Sequence, residues 1–390
     1  MNNIRMNKYD ILLLGLILSL SAFETVKAQT ENNQNDFFKV LQIDSEYLNE
    51  ERSVSIFLPA SYESTTDAYP LLVILDGEDF FHPFSGMISY YSKIGKCPEL
   101  IVVGVDSKDR WHDYTPTHAN IPDGTPLPTS GGSELFYKFL KYELMEFLEL
   151  KYCISPFHIL FGHSIAGLFV VNNVFDKQSN YSGFIATSPS LWWDNELITK
   201  KSKAYVDSTF SHRRYLFFTI GNEGLTMLNP ILNFKKSLEK YNNSELSWKF
   251  EQYEHIDHQT MPIKSFLYGL EFIFSDWQMP QNIYEEGLPA IVKYYNNLSK
   301  KYMQKIIPPE NAINRLGYFA LDKDNLDEAV RIFQYNIELY PKSANVYDSM
   351  AEAYLKAGDS TRAANNYKKS LELDPKNENA KRIILELETN

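Results

Sequence analysis

Ser164 stands where chemistry would be expected. It lies in Gly162-His163-Ser164-Ile165-Ala166-Gly167, between an apolar run of strand length, Phe157–Phe161, and a helical apolar run starting at Leu168. A serine hydroxyl is a weak nucleophile and attacks a carbonyl only when a neighbouring base takes its proton. Of the eight histidines, His212, His255 and His258 follow Ser164 in the chain. His212 opens a strand-like run, whereas His255 and His258 share a loop after the alternating segment Ser247–Tyr253. Two carboxylates could orient such a base. Glu223 lies in Gly221-Asn222-Glu223-Gly224 just past the run Tyr215–Ile220, and Asp194 follows Gly183–Thr187 after two tryptophans. His255-x-Asp257-His258 also looks like half of a zinc-binding motif. Tyr253 stands where its first histidine would be, so no metal is expected.

Such groups need a layered scaffold, and the hydropathy pattern from about Phe38 to Trp277 supplies one. Val54–Leu58, Leu71–Leu75, Leu100–Val105, Phe157–Phe161, Gly183–Thr187 and Tyr215–Ile220 are short runs rich in aliphatic and aromatic residues. Continuous apolar runs of this length suit strands covered on both faces. An amphipathic stretch from Leu135 to Leu148 reads as a helix. Strand and helix thus alternate, which predicts an α/β fold: a mostly parallel sheet with helices on both faces. Ser247–Tyr253 alternates and is placed near an edge. Hydrophobic residues make up 44% of the 390 and charged residues 23%, as in a well-buried globular chain. With 38 basic and 50 acidic residues the net charge is −12, and no basic cluster is available to neutralise phosphates. A nucleic-acid partner is excluded on that ground.

The first residues carry Arg5 and Lys8, then the apolar run Ile11–Leu20, then Val26-Lys27-Ala28. That run is too short to span a bilayer, and the small-residue site after it marks residues 1–28 as a signal peptide. The mature chain is expected to begin at Gln29, to be periplasmic or secreted, and to contain no membrane span. Cys97 and Cys153 are too few to staple the fold. Each precedes a strand-like run, so a disulfide at one sheet edge and two buried thiols are both open.

The strand, Gly-His-Ser-Ile-Ala-Gly and helix in succession resemble the nucleophile elbow of α/β-hydrolases, with the usual second glycine displaced one place to Gly167. That fold places serine, acid and histidine in this chain order, with the base in the loop holding His255 and His258. Further segments occur in sequence: Tyr69–Gly77 (YPLLVILDG), Gly131–Phe136 (GGSELF), Phe139–Leu144 (FLKYEL) and Ser188–Trp193 (SPSLWW). Together they are similar to the esterase family of α/β-hydrolases that includes esterase D, feruloyl esterases and enterochelin-type siderophore esterases. The resemblance spans roughly residues 38–277 and is nearest to the siderophore-esterase branch. It implies a serine esterase without a cofactor, acting on a siderophore trilactone, a polysaccharide-linked acyl ester or a simple small-molecule ester. Ser164 would be the nucleophile. His258 would be the base, because Glu254–Pro262 (EHIDHQTMP) matches the family pattern and leaves His255 as a surface residue. Glu223 is the preferred acid and Asp194 its competitor. The backbone N–H groups of Glu78 and Ile165 would hold the oxyanion. Arg110, in Asp109–Pro116 (DRWHDYTP), would hold an anionic substrate group or pair with Asp113. Trp192 and Trp193 would wall a substrate pocket or belong to the core and rim.

After Trp277 the chain changes character. Pro280 and Pro308-Pro309 punctuate it, and the rest reads as helix. Residues 310–343 and 344–377 align at a period of 34: Ala329 with Ala363, Phe333 with Tyr367, Ile337 with Leu371, Pro341 with Pro375. The period, the Ala-x3-aromatic spacing and the terminal proline resemble the tetratricopeptide repeat. The expected division is a hydrolase domain at 29–280, a helical linker at 281–309 and repeats at 310–390. Pro289–Tyr302 would add another helix. Two repeats bury too little alone, so the helical part either docks on the hydrolase domain or serves a protein partner. Two other functions fit the same fold: acyl transfer to an alcohol, and a binding scaffold carrying an inactive hydrolase domain. The scaffold would be expected to have lost its serine, base or acid, and all three have candidates here.

Overall fold

The structure is a computed structural model that describes residues 38–120, 124–205, 212–240 and 243–389; the expected signal peptide lies outside the described residues. The chain divides into two compact units, Met1–Trp277 and Gln278–Asn390.

The first unit is built on one eight-stranded sheet. In chain order its elements are β1 (Phe38–Ser45), β2 (Glu50–Phe57), β3 (Tyr69–Leu75), α1 (Gly77–Lys93), β4 (Ile101–Val105), α2 (Arg110–Tyr114) and α3 (Ser133–Lys138). A π-helical turn, Phe139–Leu144, leads into α4 (Met145–Lys151), followed by β5 (Ile154–His163), α5 (Ile165–Val174), β6 (Gly183–Thr187) and α6 (Trp193–Tyr205). Then come β7 (Arg214–Ile220), α7 (Leu225–Lys240), β8 (Leu246–Gln252) and α8 (Met261–Ile273). The strand order is β1-β2-β4-β3-β5-β6-β7-β8. β1 and β2 pair antiparallel, as do β2 and β4, and from β4 to β8 every pairing is parallel. Every residue of β3, β4, β6 and β7 is buried, which is why these strands read as unbroken apolar runs. β8 closes one edge, where its alternation placed it. β1 forms the other edge, and sequence pattern gave no sign of it because Phe38–Ser45 mixes polar and apolar residues on a half-covered strand.

The expected helix from Leu135 to Leu148 is present, but it passes through three registers: α3, the π-helical turn and α4. Glu143 in that turn accepts hydrogen bonds from Ser45 Oγ at 2.5 Å and from the backbone N–H groups of Glu46 and Tyr47 at 2.8 and 3.2 Å. The β1–β2 turn is thereby pinned to the helical layer. On β2, Arg52 is only 1% exposed and meets Asp113 of α2, itself fully buried, through two hydrogen bonds of 2.6 and 2.8 Å. Cys97 is buried and Cys153 exposed, both as free thiols, and burial pushes the Cys97 thiol up to about 12.

The second unit is helical: α9 (Gln281–Glu285), α10 (Leu288–Lys301), α11 (Glu310–Asp322), α12 (Leu326–Leu339), α13 (Ala344–Lys356), α14 (Ser360–Leu373) and α15 (Glu378–Thr389). The starts of α11 and α13, and those of α12 and α14, are each separated by the 34-residue period. Ala329, Phe333, Ala363 and Tyr367 are fully buried, so the repeating small and aromatic positions form the contact between paired helices. A Cβ at Gly317 would lie 2.4 Å from the Phe333 ring, and the aromatic fits because no side chain stands opposite. Leu288 and Ile291 of α10 join Ile313 and Leu316 of α11 in one core, so the segment before the repeats enlarges the buried surface. Among the described residues no helix is long and apolar enough to cross a membrane.

His158 lies inside β5, 4% exposed, and burial lowers its pKa to about 4. The unfolded chain would protonate this ring near pH 6.5, well before the folded chain does. Its stabilising contribution is therefore complete above about pH 6.5 and is lost as pH falls towards 4, reaching about 2 kcal/mol by pH 5. Thermal melts at pH 7 and 5 should show a smaller drop in Tm for His158→Leu than for the natural chain; equal drops would refute it.

Candidate active site

β5 ends at His163 and α5 begins at Ile165, which leaves Ser164 alone to reverse the chain, at φ 60° and ψ −114°. A non-glycine residue in such a conformation costs about 1–3 kcal/mol and persists only where its surroundings hold it. Here they do. The Ser164 N–H donates to the Thr187 carbonyl at 2.9 Å, and the Ser164 carbonyl accepts from Ser190 N at 3.0 Å and Leu168 N at 3.1 Å. The turn is so tight that a Cβ at Gly162 would lie 2.6 Å from the Ala166 carbonyl oxygen.

β7 and β8 are neighbours, and the loops beyond them remain joined by backbone bonds. Tyr253 N donates to Ile220 O at 2.9 Å and Asn222 N to Ile256 O at 2.7 Å. A Cβ at Gly221 would sit 2.3 Å from the Ile256 carbonyl, so glycine allows the loops to close. As a result Glu223 Oε2 meets His258 Nδ1 at 2.5 Å. An ionised carboxylate can only accept, so Nδ1 carries the proton and Nε2 is left as the basic nitrogen. The other carboxylate oxygen, Oε1, accepts from Ser188 Oγ and from Gly221 N–H, the latter at 3.0 Å. Burial acts to raise the Glu223 pKa, but the hydrogen bonds from His258, Ser188 and Gly221 outweigh it and hold the carboxyl below its ordinary value. Asp194 is engaged elsewhere, accepting from Thr117 Oγ1 at 2.8 Å, and His255 is exposed.

Ile74 on β3 lies opposite Phe161 on β5, so α1 and α5 start from the same end of the parallel strands. Glu78 is the second residue of α1 and Ile165 the first of α5. Their N–H groups belong to first turns and have no carbonyl acceptor within their own helices, as suits an anion; that of Glu78 faces the carboxylates of Glu78 itself and of Asp106. Arg110 ties these two starts together. Its Nε and Nη2 donate to the two oxygens of Asp76, both at 2.9 Å, and Nη2 also reaches the His163 carbonyl at 3.3 Å. The Tyr114 hydroxyl accepts from Asp76 N at 3.2 Å. An Arg110–Asp113 pair does not form, because Asp113 is taken by Arg52. With Nε and Nη2 on Asp76, Arg110 is first a clamp on the α1 turn rather than a free anion receptor.

The two tryptophans part company. Trp193 is fully buried, stacks on Trp111 with centroids 5.8 Å apart, and donates from Nε1 to Thr117 Oγ1 at 3.1 Å. It belongs to the core and cannot wall a pocket. Trp192 is half-buried and lines a cleft between α6 and α7 with Asn195, Lys200 and Lys236, a cleft that neither Ser164 nor His258 lines. Ser188, which anchors Glu223, had no assigned part in the sequence reading. Its motif SPSLWW was visible, but its bond to a residue 35 positions away was not.

Chemically, this arrangement presents a serine on a tight turn, a histidine with its basic nitrogen free, an anchored acid and two helix-start N–H groups. Fold and site together define an α/β-hydrolase unit. Residues 45–220 match the family described as "Putative esterase". It is similar to the ferri-bacillibactin esterase BesA of Bacillus subtilis, with 30% identity over 178 residues, covering 41% of this chain and 62% of that protein. It is also similar to the siderophore enterobactin esterase of Emericella nidulans, at 34% identity over 27% of this chain and 38% of the relative. The chain thus spans less than two thirds of the length of these curated relatives. Among solved structures, an IroE-like serine hydrolase from Shewanella oneidensis superposes with a TM-score of 0.66 at 23% identity, over 80% of this chain and all of that one. An uncharacterised protein from Capnocytophaga ochracea gives 0.68 at 19% identity over 90% of this chain and all of its own. Both likenesses speak for the fold, and both exceed the length of the α/β unit.

If Glu223 orients His258, Glu223→Gln should lower kcat about 10²-fold with KM little changed. Ser188→Ala should cost less, on the order of 10-fold, and Asp194→Asn least of all. A larger loss for Asp194→Asn than for Glu223→Gln, read by steady-state ester hydrolysis, would move the acid to the loop after β6.

Proposed function

We propose that this protein is an exported serine esterase whose substrate is a siderophore ester. The observation that carries the reading is the 2.5 Å contact between Glu223 and His258, on loops from adjacent strands, in a fold that holds Ser164 on a one-residue turn. His258 Nε2 takes the Ser164 proton as Oγ attacks the ester carbonyl, and the N–H groups of Glu78 and Ile165 receive the oxyanion. The tetrahedral intermediate collapses, His258 returns the proton to the leaving alkoxide, and an acyl-enzyme remains. Water, deprotonated by the same histidine, then releases the acid and restores Ser164. Glu223 stays ionised throughout and stabilises the imidazolium. The siderophore assignment draws support from the relatives named above, and export from the leader pattern that ends at Ala28.

Purified chain should hydrolyse p-nitrophenyl acetate, and Ser164→Ala should lower turnover on the order of 10³-fold or more without loss of fold. Undiminished turnover in that variant would overturn the serine mechanism. Enterobactin incubated with the enzyme should yield linear fragments by chromatography. Intact enterobactin beside cleaved p-nitrophenyl acetate would remove the siderophore assignment and leave the esterase one. The exported protein should begin at Gln29 when its N-terminus is sequenced; a chain still beginning at Met1 would remove the signal peptide.

A further inference from the structure

His163 is a buried titratable group that this mechanism does not use. It closes β5 directly before Ser164 and is 7% exposed. Its ring lies against that of His258, with centroids 4.4 Å apart and planes tilted by 42°. Phe80 meets it edge-on at 6.0 Å from the other element packed there. The backbone carbonyl of His258 accepts a hydrogen bond from the His163 ring, while His163 Nε2 is buried with no partner. A buried nitrogen without a partner costs on the order of 1–3 kcal/mol and calls for an explanation beyond packing. From this contact geometry we propose that His163 is a positioning residue for His258: its flat face backs the base ring and meets the positive charge that the ring acquires.

The charge logic fits. His258, Arg110 and Glu223 are the charged or titratable groups that face His163. Burial first, then the charges of His258 and Arg110, hold the His163 pKa down to about 3, so the ring is neutral wherever an esterase would work. A neutral aromatic face attracts a cation, whereas a second imidazolium would repel it. The backbone of His163 is itself fixed, since its carbonyl receives Arg110 Nη2 at 3.3 Å. His163 therefore passes the rigidity of β5 to a histidine that rides on a loop. Nothing in this needs a proton to move through His163, because the ring acts by its face.

This inference rests on the serine-hydrolase reading, so its test uses a probe that examines both. A fluorophosphonate labels a base-activated serine irrespective of the natural substrate. The limiting labelling rate and the probe's apparent affinity would be measured for the natural chain, His163→Ala and His163→Phe, with a thermal melt of each. His163→Ala should lower the limiting rate on the order of 10-fold or more with affinity changed less than about twofold, as expected when only the reacting geometry is disturbed. His163→Phe keeps a flat neutral face and should stay within about threefold of the natural rate. If the natural chain is not labelled at Ser164, the serine-hydrolase reading itself fails. If it is labelled and His163→Ala reacts as fast, the positioning role is overturned. Should His163→Ala fail to fold, His163→Phe decides alone: a folded variant that has lost 10-fold or more overturns the proposal, and a near-natural rate supports it.

Discussion

The reversal of the chain at a single residue, Ser164, is the constraint on which the rest of the α/β unit depends. A strand buried on both faces must become a helix with no loop between, and the serine that achieves this adopts a conformation unfavourable for any side chain. The loop after β6 supplies the restraint, since Thr187 and Ser190 bond the Ser164 backbone from two sides. Ser188 in that loop has a backbone at φ 43° and turns its hydroxyl to Glu223. Glu223 meets His258, and His258 lies on His163, the neighbour of Ser164. The contacts close a circuit around the turn. Each strained or exposed member is held by another, so the site is preorganised by its own connectivity.

A second network lies beneath the first and works through charge. Arg52 would be costly in the interior without Asp113, and removing one partner of such a pair typically costs about 3–5 kcal/mol. The pair fixes α2, and α2 carries both Arg110 and Tyr114 to Asp76. Asp76 itself is left-handed at φ 53° and starts the turn into α1. A buried ion pair near the sheet's antiparallel edge thus sets the position of backbone N–H groups several strands away. The acidic and basic side chains act here as struts, and the geometry they hold is that of the backbone.

The helical unit follows a simpler rule. Its paired helices meet through Ala329 and Phe333, then through Ala363 and Tyr367, and each small residue makes room for an aromatic. α10 extends the same core on one side. Ile383 and Ile384 of α15 pack with Tyr367 on the other, so the repeats end on helices that do not repeat.

Much of this was legible in the amino-acid sequence because it depends on local pattern. Apolar runs marked the inner strands, the 34-residue period marked the helix pairs, and Gly-His-Ser-Ile-Ala-Gly between strand and helix marked the turn. Burial on both faces, repetition and tight backbone approach each leave a signature within a few residues. Other features left none. β1 was missed because an edge strand needs no continuous apolar run. The partner of Arg110 was open because Asp113 is close in sequence while Asp76 is close in space. Trp192 and Trp193, adjacent in the chain, went to a cleft and to the core. The choice of Glu223 over Asp194 as the contact of His258 rested on how far two loops extend past paired strands, and His163 showed its contact with His258 only once they had closed. Sequence determined which segments would be strand, turn and helix, since that is settled by neighbours along the chain. The tertiary structure decided which charges and rings would meet, because a buried polar group must find its partner wherever the fold happens to place one.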